Sequence, residues 1–208
     1  IYDAFVEALA AKVAAMPVGD GREPGVKIGP LINQAAVDKV QRHVDDAVAK
    51  GGRLLCGGTP HALGQSFYAP TVIADATPEM AVASEETFGP LAPVFRFRDV
   101  EEAIAMANDT PFGLAAYFYA RDYRRIWRIM EGLEYGMVGV NEGIISTELA
   151  PFGGVKESGL GREGSRHGLE EFTELKYVCV GGLRARRVTH SLPGSHHEPD
   201  HHQPRAQR

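Results

Sequence analysis

The sequence predicts an α/β protein built around a mainly parallel β-sheet. In the middle of the chain, short apolar segments bounded by glycine, proline or polar turns alternate three times with segments of helical periodicity. Parallel neighbouring strands need crossover connections, which such helices supply. The composition agrees, because 44% of the 208 residues are apolar and 24% are charged, as is usual in globular proteins.

The first two helices are predicted near the N-terminus. Apolar residues recur at three- and four-residue steps from Phe5 to Met16, which indicates a helix that ends before Pro17. Asn33 is predicted to cap the second helix, because its side chain can accept a hydrogen bond from the first helical turn. The predicted apolar face of this second helix consists of Val37, Val40, Val44 and Ala47.

The remaining elements follow in order. Strands are predicted at residues 53–56, 68–73, 91–97, 114–120 and 137–141. Asp99 is predicted to cap a helix that runs to about Asn108, and Asp122 is predicted to cap another. A short helix near 164–172 and a strand at 175–180 complete the ordered part, and functional residues are expected in loops such as 141–158.

Composition and charge exclude several classes of function. The net charge of −5 does not favour a nucleic-acid partner, which would require a concentrated basic face. No apolar run approaches the roughly 20 residues that span a bilayer. Two distant cysteines, Cys56 and Cys179, indicate no disulfide scaffold, and both are expected to be inert packing residues. We therefore expect a cytoplasmic protein with no membrane segment.

For the other candidate sites, we predict structural or surface roles rather than catalysis or specific binding. Residues 159–164 match a spaced-glycine dinucleotide motif, but no apolar strand precedes them, so a loop is expected. His43, His61 and His167 have no evident carboxylate partner in the sequence and are predicted to be structural or surface residues. A histidine-rich segment at 196–202 lacks a scaffold, so adventitious metal binding is expected there rather than a site.

Four motifs in a fixed order resemble the aldehyde dehydrogenase superfamily. They are residues 29–33 (Gly-Pro-Leu-Ile-Asn), 85–91 (Glu-Glu-Thr-Phe-Gly-Pro-Leu), 138–143 (Val-Gly-Val-Asn-Glu-Gly) and 151–156 (Pro-Phe-Gly-Gly-Val-Lys). The resemblance covers residues 1 to about 183. Segments 143–146, 158–165 and 174–179 are most similar to succinate-semialdehyde dehydrogenases, with glutarate-semialdehyde dehydrogenases as near neighbours.

The resemblance implies a fold and a division of the chain. Residues 1–165 would be the C-terminal part of an aldehyde dehydrogenase-type catalytic domain, with a mainly parallel sheet. Residues 166–183 would form a short helix and an oligomerisation strand near Tyr177, through which the family forms homo-oligomers. Residues 184–208 are rich in His, Pro, Arg and Gln and are predicted to be disordered.

The resemblance also implies roles for individual residues. Glu86 would hold the nicotinamide ribose, since a carboxylate can accept hydrogen bonds from both hydroxyls, and Phe88 would pack near the nicotinamide of NAD or NADP. Lys39 is a candidate ribose contact, with a solvated lysine as the alternative. Ser146 would bind the distal carboxylate of a semialdehyde substrate, with local backbone hydrogen bonding as the alternative.

The family's reaction requires residues that this sequence lacks. A cysteine thiolate adds to the aldehyde, hydride passes to NAD(P)+, and a glutamate activates the water that hydrolyses the thioester. The family places that cysteine in a Gly-Gln-x-Cys motif and that glutamate in a Glu-Leu-Gly-Gly motif, and neither occurs in these 208 residues. No catalytic residue is therefore assigned, and the chain alone is expected to be inactive.

Two interpretations of the chain remain open. Ile1 stands inside the first amphipathic segment, so we expect a piece of a longer dehydrogenase. The alternative is a free-standing truncated paralogue that acts as a non-catalytic partner of a full-length dehydrogenase. The choice between NAD and NADP, and the identity of the semialdehyde, stay undetermined by the sequence.

Overall fold

The computed structural model describes residues 1–182, which contain both helices and strands. The helices are α1 (Tyr2–Ala14), α2 (Gln34–Ala49), α3 (Ala81–Ser84), α4 (Val100–Asn108) and α5 (Tyr123–Gly132), with a 3₁₀ helix at His167–Phe172. The strands are β1 (Arg53–Cys56), β2 (Thr71–Ala76), β3 (Leu91–Phe95), β4 (Phe112–Gly113), β5 (Ala115–Phe118), β6 (Met137–Val140) and β7 (Val155–Lys156).

The strands form mixed rather than mainly parallel sheets, so this part of the fold prediction is wrong. In the three-stranded sheet, β2 pairs with β1 antiparallel and with β3 parallel. A parallel pair β5–β6 and an antiparallel pair β4–β7 form two further sheets. The loop from 57 to 70 contains no helix, so the chain reverses directly between β1 and β2 instead of crossing over.

All three predicted N-caps are confirmed. Asn33 Oδ1 accepts a hydrogen bond from Ala36 N at 3.0 Å at the start of α2. Asp99 Oδ1 accepts from Glu102 N at 2.9 Å, and Asp122 Oδ1 accepts from Arg125 N at 2.7 Å. Each cap satisfies an amide that has no partner within its own helix, so each fixes where a helix begins.

Strand boundaries agree less well with the sequence prediction. The predicted strand at 53–56 is confirmed, but the one predicted at 68–73 is observed at Thr71–Ala76. Tyr68 instead forms an isolated bridge with Pro60 and lies buried in the core. The elements α3, β4 and β7 were not predicted, because two to four residues are too few to show a periodicity.

The core lies between α2 and the three-stranded sheet. Its buried residues are Val37, Val40, Val44, Ala47, Tyr68, Ile73, Ala76 and Met80. The predicted apolar face of α2 is therefore confirmed in full. Tyr68 Oη donates a hydrogen bond to Gln41 Oε1 at 2.9 Å, and burial raises the pKa of Tyr68 to about 12.

Helix α1 is attached to β2 and β3 of this sheet through its first residue, Tyr2. Tyr2 Oη donates to Val94 O at 3.1 Å and accepts from Asp75 N at 2.7 Å. The Arg96 guanidinium lies 3.8 Å from the centroid of the Tyr2 ring, a cation–π geometry. Val6 and Val13 supply the buried side of α1.

The last strand of the prediction is not formed within the chain. Residues 1–173 make one compact unit that does not include residues 174–182, which have no regular secondary structure. Tyr177 is 90% exposed. A strand requires a hydrogen-bonded neighbour, so the oligomerisation strand stays a prediction. The predicted disordered tail, 184–208, lies outside the described residues.

None of the helices in residues 1–182 is both long enough and apolar enough to cross a membrane.

Candidate cofactor site

The loop of residues 85–90, here called the Glu86 loop, joins α3 to β3. Its end is fixed where Thr71 N donates to Pro90 O at 2.8 Å, beside the parallel pairing of β2 and β3. Glu86 is exposed and Phe88 is 81% exposed. The loop therefore presents a carboxylate and an aromatic ring, both available to a ligand.

Phe88 adopts a backbone conformation that is unusual for a bulky residue. Its φ of 51° lies in the left-handed region, which is sterically unfavourable for an aromatic side chain. Such strain costs about 1–3 kcal/mol and persists only where surrounding contacts impose it. A strained residue with an exposed apolar ring gains nothing for the folded core, so the conformation points to a role at the surface.

Helix α2 lies directly against the Glu86 loop. Lys39 Nζ donates a hydrogen bond to the backbone carbonyl of Glu86. At Gly89, a β-carbon would lie 2.4 Å from Val40 Cγ2, so only glycine permits this approach. Lys39 is half-buried and its hydrogen bond to Glu86 is exposed, so the ribose contact and the solvated lysine both stay predictions.

His43 is a buried residue with two polar partners that the sequence did not reveal. Its ring is fully buried, with Nε2 3.1 Å from Glu85 Oε2 and Nδ1 2.9 Å from Thr87 Oγ1. Arg42 Nη2 also lies 3.5 Å from Glu85 Oε2. The hydrogen bond from His43 is the main reason that the pKa of Glu85 is lowered from its ordinary value.

His43 therefore has a structural role, as predicted, and it pairs with a carboxylate that the sequence did not reveal. The partner lies 42 positions away in the sequence, where no local pattern reveals it. One signal was available, since His43 falls three residues after Val40 on the apolar face of α2. A histidine on a buried face requires polar partners. His61 and His167 are half-buried and make short-range contacts, to Leu63 N and Glu170 respectively.

A cavity of about 340 Å³ adjoins the Glu86 loop. Its walls include Glu86, Phe112, Tyr135 and Ser158. Ser158 Oγ accepts a hydrogen bond from Gly113 N at 3.0 Å, which ties the loop after β7 to β4. The glycine-rich segment at 159–164 forms a loop, as predicted, and supplies no phosphate-binding helix.

Lys156, the last residue of the Pro-Phe-Gly-Gly-Val-Lys motif, stabilises the strands next to the cavity. Lys156 Nζ donates to Asn108 O at 2.8 Å and lies 2.7 Å from Glu134 Oε2. Lys156 pairs with Phe112 in the β4–β7 ladder. Lys156 therefore helps to hold the β4–β7 pair in place, and Phe112 of β4 lines the cavity.

Ser146 lies on a different loop, after β6. That loop begins at Asn141, whose side chain donates to Ala120 O and accepts from Ala120 N, both at 2.8 Å. Glu142 Oε1 accepts from Gly143 N at 2.8 Å and from Ile144 N at 3.3 Å. Ser146 itself is exposed. The anchoring role of Asn141 was not predicted from the sequence. Its φ of 56° lies in the left-handed region, which asparagine tolerates.

The two cysteines are free thiols in separate places. Cys56 is half-buried on β1, with Sγ 3.8 Å from Pro70 O, which fits the predicted packing role. Cys179 is exposed, so that prediction is wrong for it. Residues 1–182 contain no group of three or more metal-binding side chains. The histidine-rich segment at 196–202 lies outside the described residues.

These features define what the site can do chemically. The Glu86 carboxylate can accept two hydrogen bonds from neighbouring hydroxyls. The Phe88 ring offers an apolar face for a planar heterocycle. The site thus has the groups that a nicotinamide riboside requires.

Comparisons with known proteins identify the family. Residues 1–178 match the aldehyde dehydrogenase family. The chain is 58% identical over 183 residues to the glutarate-semialdehyde dehydrogenase of Pseudomonas aeruginosa, covering 88% of this chain and 38% of that protein. It is 56% identical over 181 residues to the succinate-semialdehyde dehydrogenase [NADP(+)] of Escherichia coli, covering 87% of this chain and 38% of that protein.

A solved structure agrees with the sequence match. The crystal structure of succinate-semialdehyde dehydrogenase from Burkholderia pseudomallei superimposes with a TM-score of 0.84 at 60% identity, covering 86% of this chain and 37% of that one. The chain thus spans about 38% of the length of the curated relatives it matches. With a family match over residues 1–178, the chain belongs to the aldehyde dehydrogenase family.

Proposed function

We propose that this chain is the C-terminal part of the catalytic domain of an NAD(P)-dependent semialdehyde dehydrogenase. The longer enzyme would oxidise succinate semialdehyde, or a similar aldehyde, to the carboxylic acid in the cytoplasm. The observation that carries this proposal is the Glu86 loop, in which a carboxylate and a strained aromatic ring face outward from a core-packed helix. The semialdehyde names of its relatives support the substrate class.

The residues at the loop fit the cofactor. Glu86 would accept hydrogen bonds from the two hydroxyls of the nicotinamide ribose, which an ionised carboxylate does strongly. Phe88 would pack beside the nicotinamide, and Lys39, held against the Glu86 carbonyl, would lie at the ribose. When bound, the nicotinamide accepts hydride from the substrate. NAD or NADP would each fit, since both carry the same nicotinamide riboside.

The described residues bind and orient but do not supply the reacting groups. Cys56 sits half-buried on β1, with Sγ 3.8 Å from Pro70 O, and neither Gly-Gln-x-Cys nor Glu-Leu-Gly-Gly occurs in the sequence. The thiolate that attacks the aldehyde and the glutamate that activates water would come from the rest of a longer protein. We therefore expect the 208-residue chain alone to turn over no aldehyde.

Ser146 is proposed to bind the distal carboxylate of the substrate. Its loop is anchored through Asn141 and Glu142, and the serine is exposed. A hydroxyl donates well to a carboxylate. Ser146→Ala in an active enzyme should raise KM for succinate semialdehyde but leave KM for butanal, which has no carboxylate, unchanged. Equal effects on the two aldehydes would remove Ser146 from the substrate site.

A graft tests the proposal directly. Residues 1–182 of this chain replace the matching segment of the E. coli NADP+-dependent relative, to which they are 56% identical. We expect the grafted enzyme to convert succinate semialdehyde to succinate with NADP+, and the isolated chain to show no turnover. A folded graft that oxidises no semialdehyde, or an isolated chain that does, would contradict the proposal.

A second candidate function has its own supporting observation. Leu175, Tyr177, Val178 and Val180 are all exposed and form no strand within residues 1–182. A free-standing truncated paralogue could add this segment to the sheet of a full-length dehydrogenase, as it would also do between identical subunits. The coding sequence upstream of the Ile1 codon separates the two. An open frame with Gly-Gln-x-Cys favours the enzyme, whereas an in-frame start or stop codon favours the paralogue.

A further inference from the structure

We propose that His43 is a positioning residue. By hydrogen bonding to Glu85 and Thr87, the residues on either side of Glu86, it holds Glu86 in its ligand-facing conformation. His43 Nε2 lies 3.1 Å from Glu85 Oε2, and Nδ1 lies 2.9 Å from Thr87 Oγ1. His43 itself is fully buried and cannot touch a cofactor. The inference rests on the proposed role of Glu86 in binding the cofactor ribose.

The geometry of an extended chain explains why this arrangement orients Glu86. Glu85 has φ of −102° and ψ of 131°, which is extended backbone. In extended backbone, alternate side chains point to the same side and the residue between them points to the other. Glu85 and Thr87 both reach His43 on α2, so the Glu86 side chain is turned away from α2 and is exposed.

The hydrogen bond to Glu85 determines that Nε2 of the ring must carry a proton. The pKa of Glu85 is lowered, so its carboxylate is ionised near neutral pH and can only accept. Nε2 of His43 therefore carries a proton and donates a hydrogen bond to the Glu85 carboxylate. In the neutral ring Nδ1 then accepts from the Thr87 hydroxyl. Loss of either hydrogen-bond partner would raise the free energy of the folded state, because an unpaired polar atom in a fully buried ring is unfavourable.

Helix α2 keeps the His43 ring in a fixed position relative to the Glu86 loop. His43 lies one helical turn after Lys39, which binds the Glu86 carbonyl, and three residues after Val40, which contacts Gly89. Residues at such spacing share one face of a helix. The same helix packs in the core through Val44 and Ala47. A carboxylate held ready in this way loses less conformational entropy when it binds a ligand.

The test uses the grafted enzyme and changes Thr87, because the buried His43 is less tolerant of substitution. Thr87→Val removes the hydroxyl and keeps the shape, whereas Thr87→Ser keeps the hydroxyl as the matched control. We expect Thr87→Val to raise KM for NADP+ and Kd for NADPH, measured by fluorescence, about threefold to tenfold, with Thr87→Ser within about twofold of the parent. KM for the aldehyde should not change.

Two further measurements separate positioning from general support of the fold. Combined with Glu86→Ala, Thr87→Val should cause no additional rise in Kd for NADPH. Thr87 is proposed to affect binding only by positioning the Glu86 carboxylate, which is absent in the Glu86→Ala enzyme. The ¹⁵N spectrum of the His43 ring, recorded without cofactor, should show the Nε2-protonated tautomer in the parent and change in Thr87→Val.

The outcomes distinguish this inference from the proposed function. If Glu86→Ala raises Kd for NADPH but a folded Thr87→Val does not, His43 has no positioning role while Glu86 keeps its own. Additive effects of the two substitutions would overturn the inference in the same way. If Glu86→Ala leaves Kd unchanged, the cofactor role of Glu86 is itself wrong.

Discussion

At Gly89 the backbone of the Glu86 loop lies directly against α2. A β-carbon there would lie 2.4 Å from Val40 Cγ2, and Val40 is fully buried. Neither the loop nor the core can move apart without disturbing other contacts. Gly89 is therefore one of the positions at which the site is linked to the core, beside the hydrogen bonds of Lys39 and His43.

Gly89→Ala should lower the free energy of unfolding by about 1–3 kcal/mol through overpacking, measured by urea denaturation. In the grafted enzyme it should also raise KM for NADP+, since the loop must shift. The control is Gly29→Ala, where a β-carbon meets nothing within 4 Å, and where a change below about 0.5 kcal/mol is expected. Equal stability of the two variants would contradict the packing argument.

Glu85 should make stability depend on acid pH. Its pKa in the folded chain is lowered from 4.5, first by the hydrogen bond from His43. Its contribution is therefore present above pH 4.5 and is lost as the pH falls through the lower folded-state pKa. Urea denaturation of the parent and of Glu85→Gln at a series of pH values checks this. Below that range the difference between them should shrink, and a constant difference would contradict the assignment.

At the scale of single residues, the sequence predicted local contacts and missed distant ones. The caps Asn33, Asp99 and Asp122 act on amides three positions ahead, so residue type and position were enough to predict them. The pairing of His43 with Glu85 depends on how α2 packs against the loop, which no local pattern encodes. The motif that contains Glu86 was nevertheless visible in the sequence alone.

Among the elements, α2 matters most, because it forms one wall of the core and supports the Glu86 loop. Its N-terminus depends on Asn33, whose Oδ1 accepts from Ala36 N. Asn33→Ala should lower the free energy of unfolding by about 1 kcal/mol, with an unchanged denaturant m-value, whereas Asn33→Ser should restore most of the loss. A serine variant as unstable as the alanine variant would show that the cap does not hold the helix.

Helices were predicted better than sheets for a physical reason. A helix satisfies its backbone within one segment, so periodicity and capping residues define it. A strand needs a partner, and β2 pairs antiparallel with β1 but parallel with β3. β1 runs antiparallel to β2 because the long loop at 57–70 contains no helix and reverses the chain between them. The path of this loop could not be predicted from the sequence. The two-residue strands β4 and β7 exist only because each pairs with the other.

For the whole molecule, the chain spans about 38% of its curated relatives and exposes many large apolar side chains. These include Ile32, Ile144, Leu149 and Leu160, each more than 80% exposed. Exposed apolar surface on this scale is typical of regions that other protein covers. We expect the isolated chain to bind the dye ANS more strongly, per mole, than the grafted enzyme does. Equal dye binding would mean that the rest of the enzyme covers none of these side chains.

The central claim is that the Glu86 loop binds the nicotinamide cofactor of a semialdehyde dehydrogenase. The most direct test is the Kd for NADPH of the grafted enzyme with Glu86→Ala, compared with Glu7→Ala, which removes an exposed carboxylate from α1. Loss of charge-assisted hydrogen bonds should raise Kd about tenfold or more for Glu86→Ala, with Glu7→Ala matching the parent. A Glu86→Ala enzyme that binds NADPH as tightly as the parent would contradict the claim.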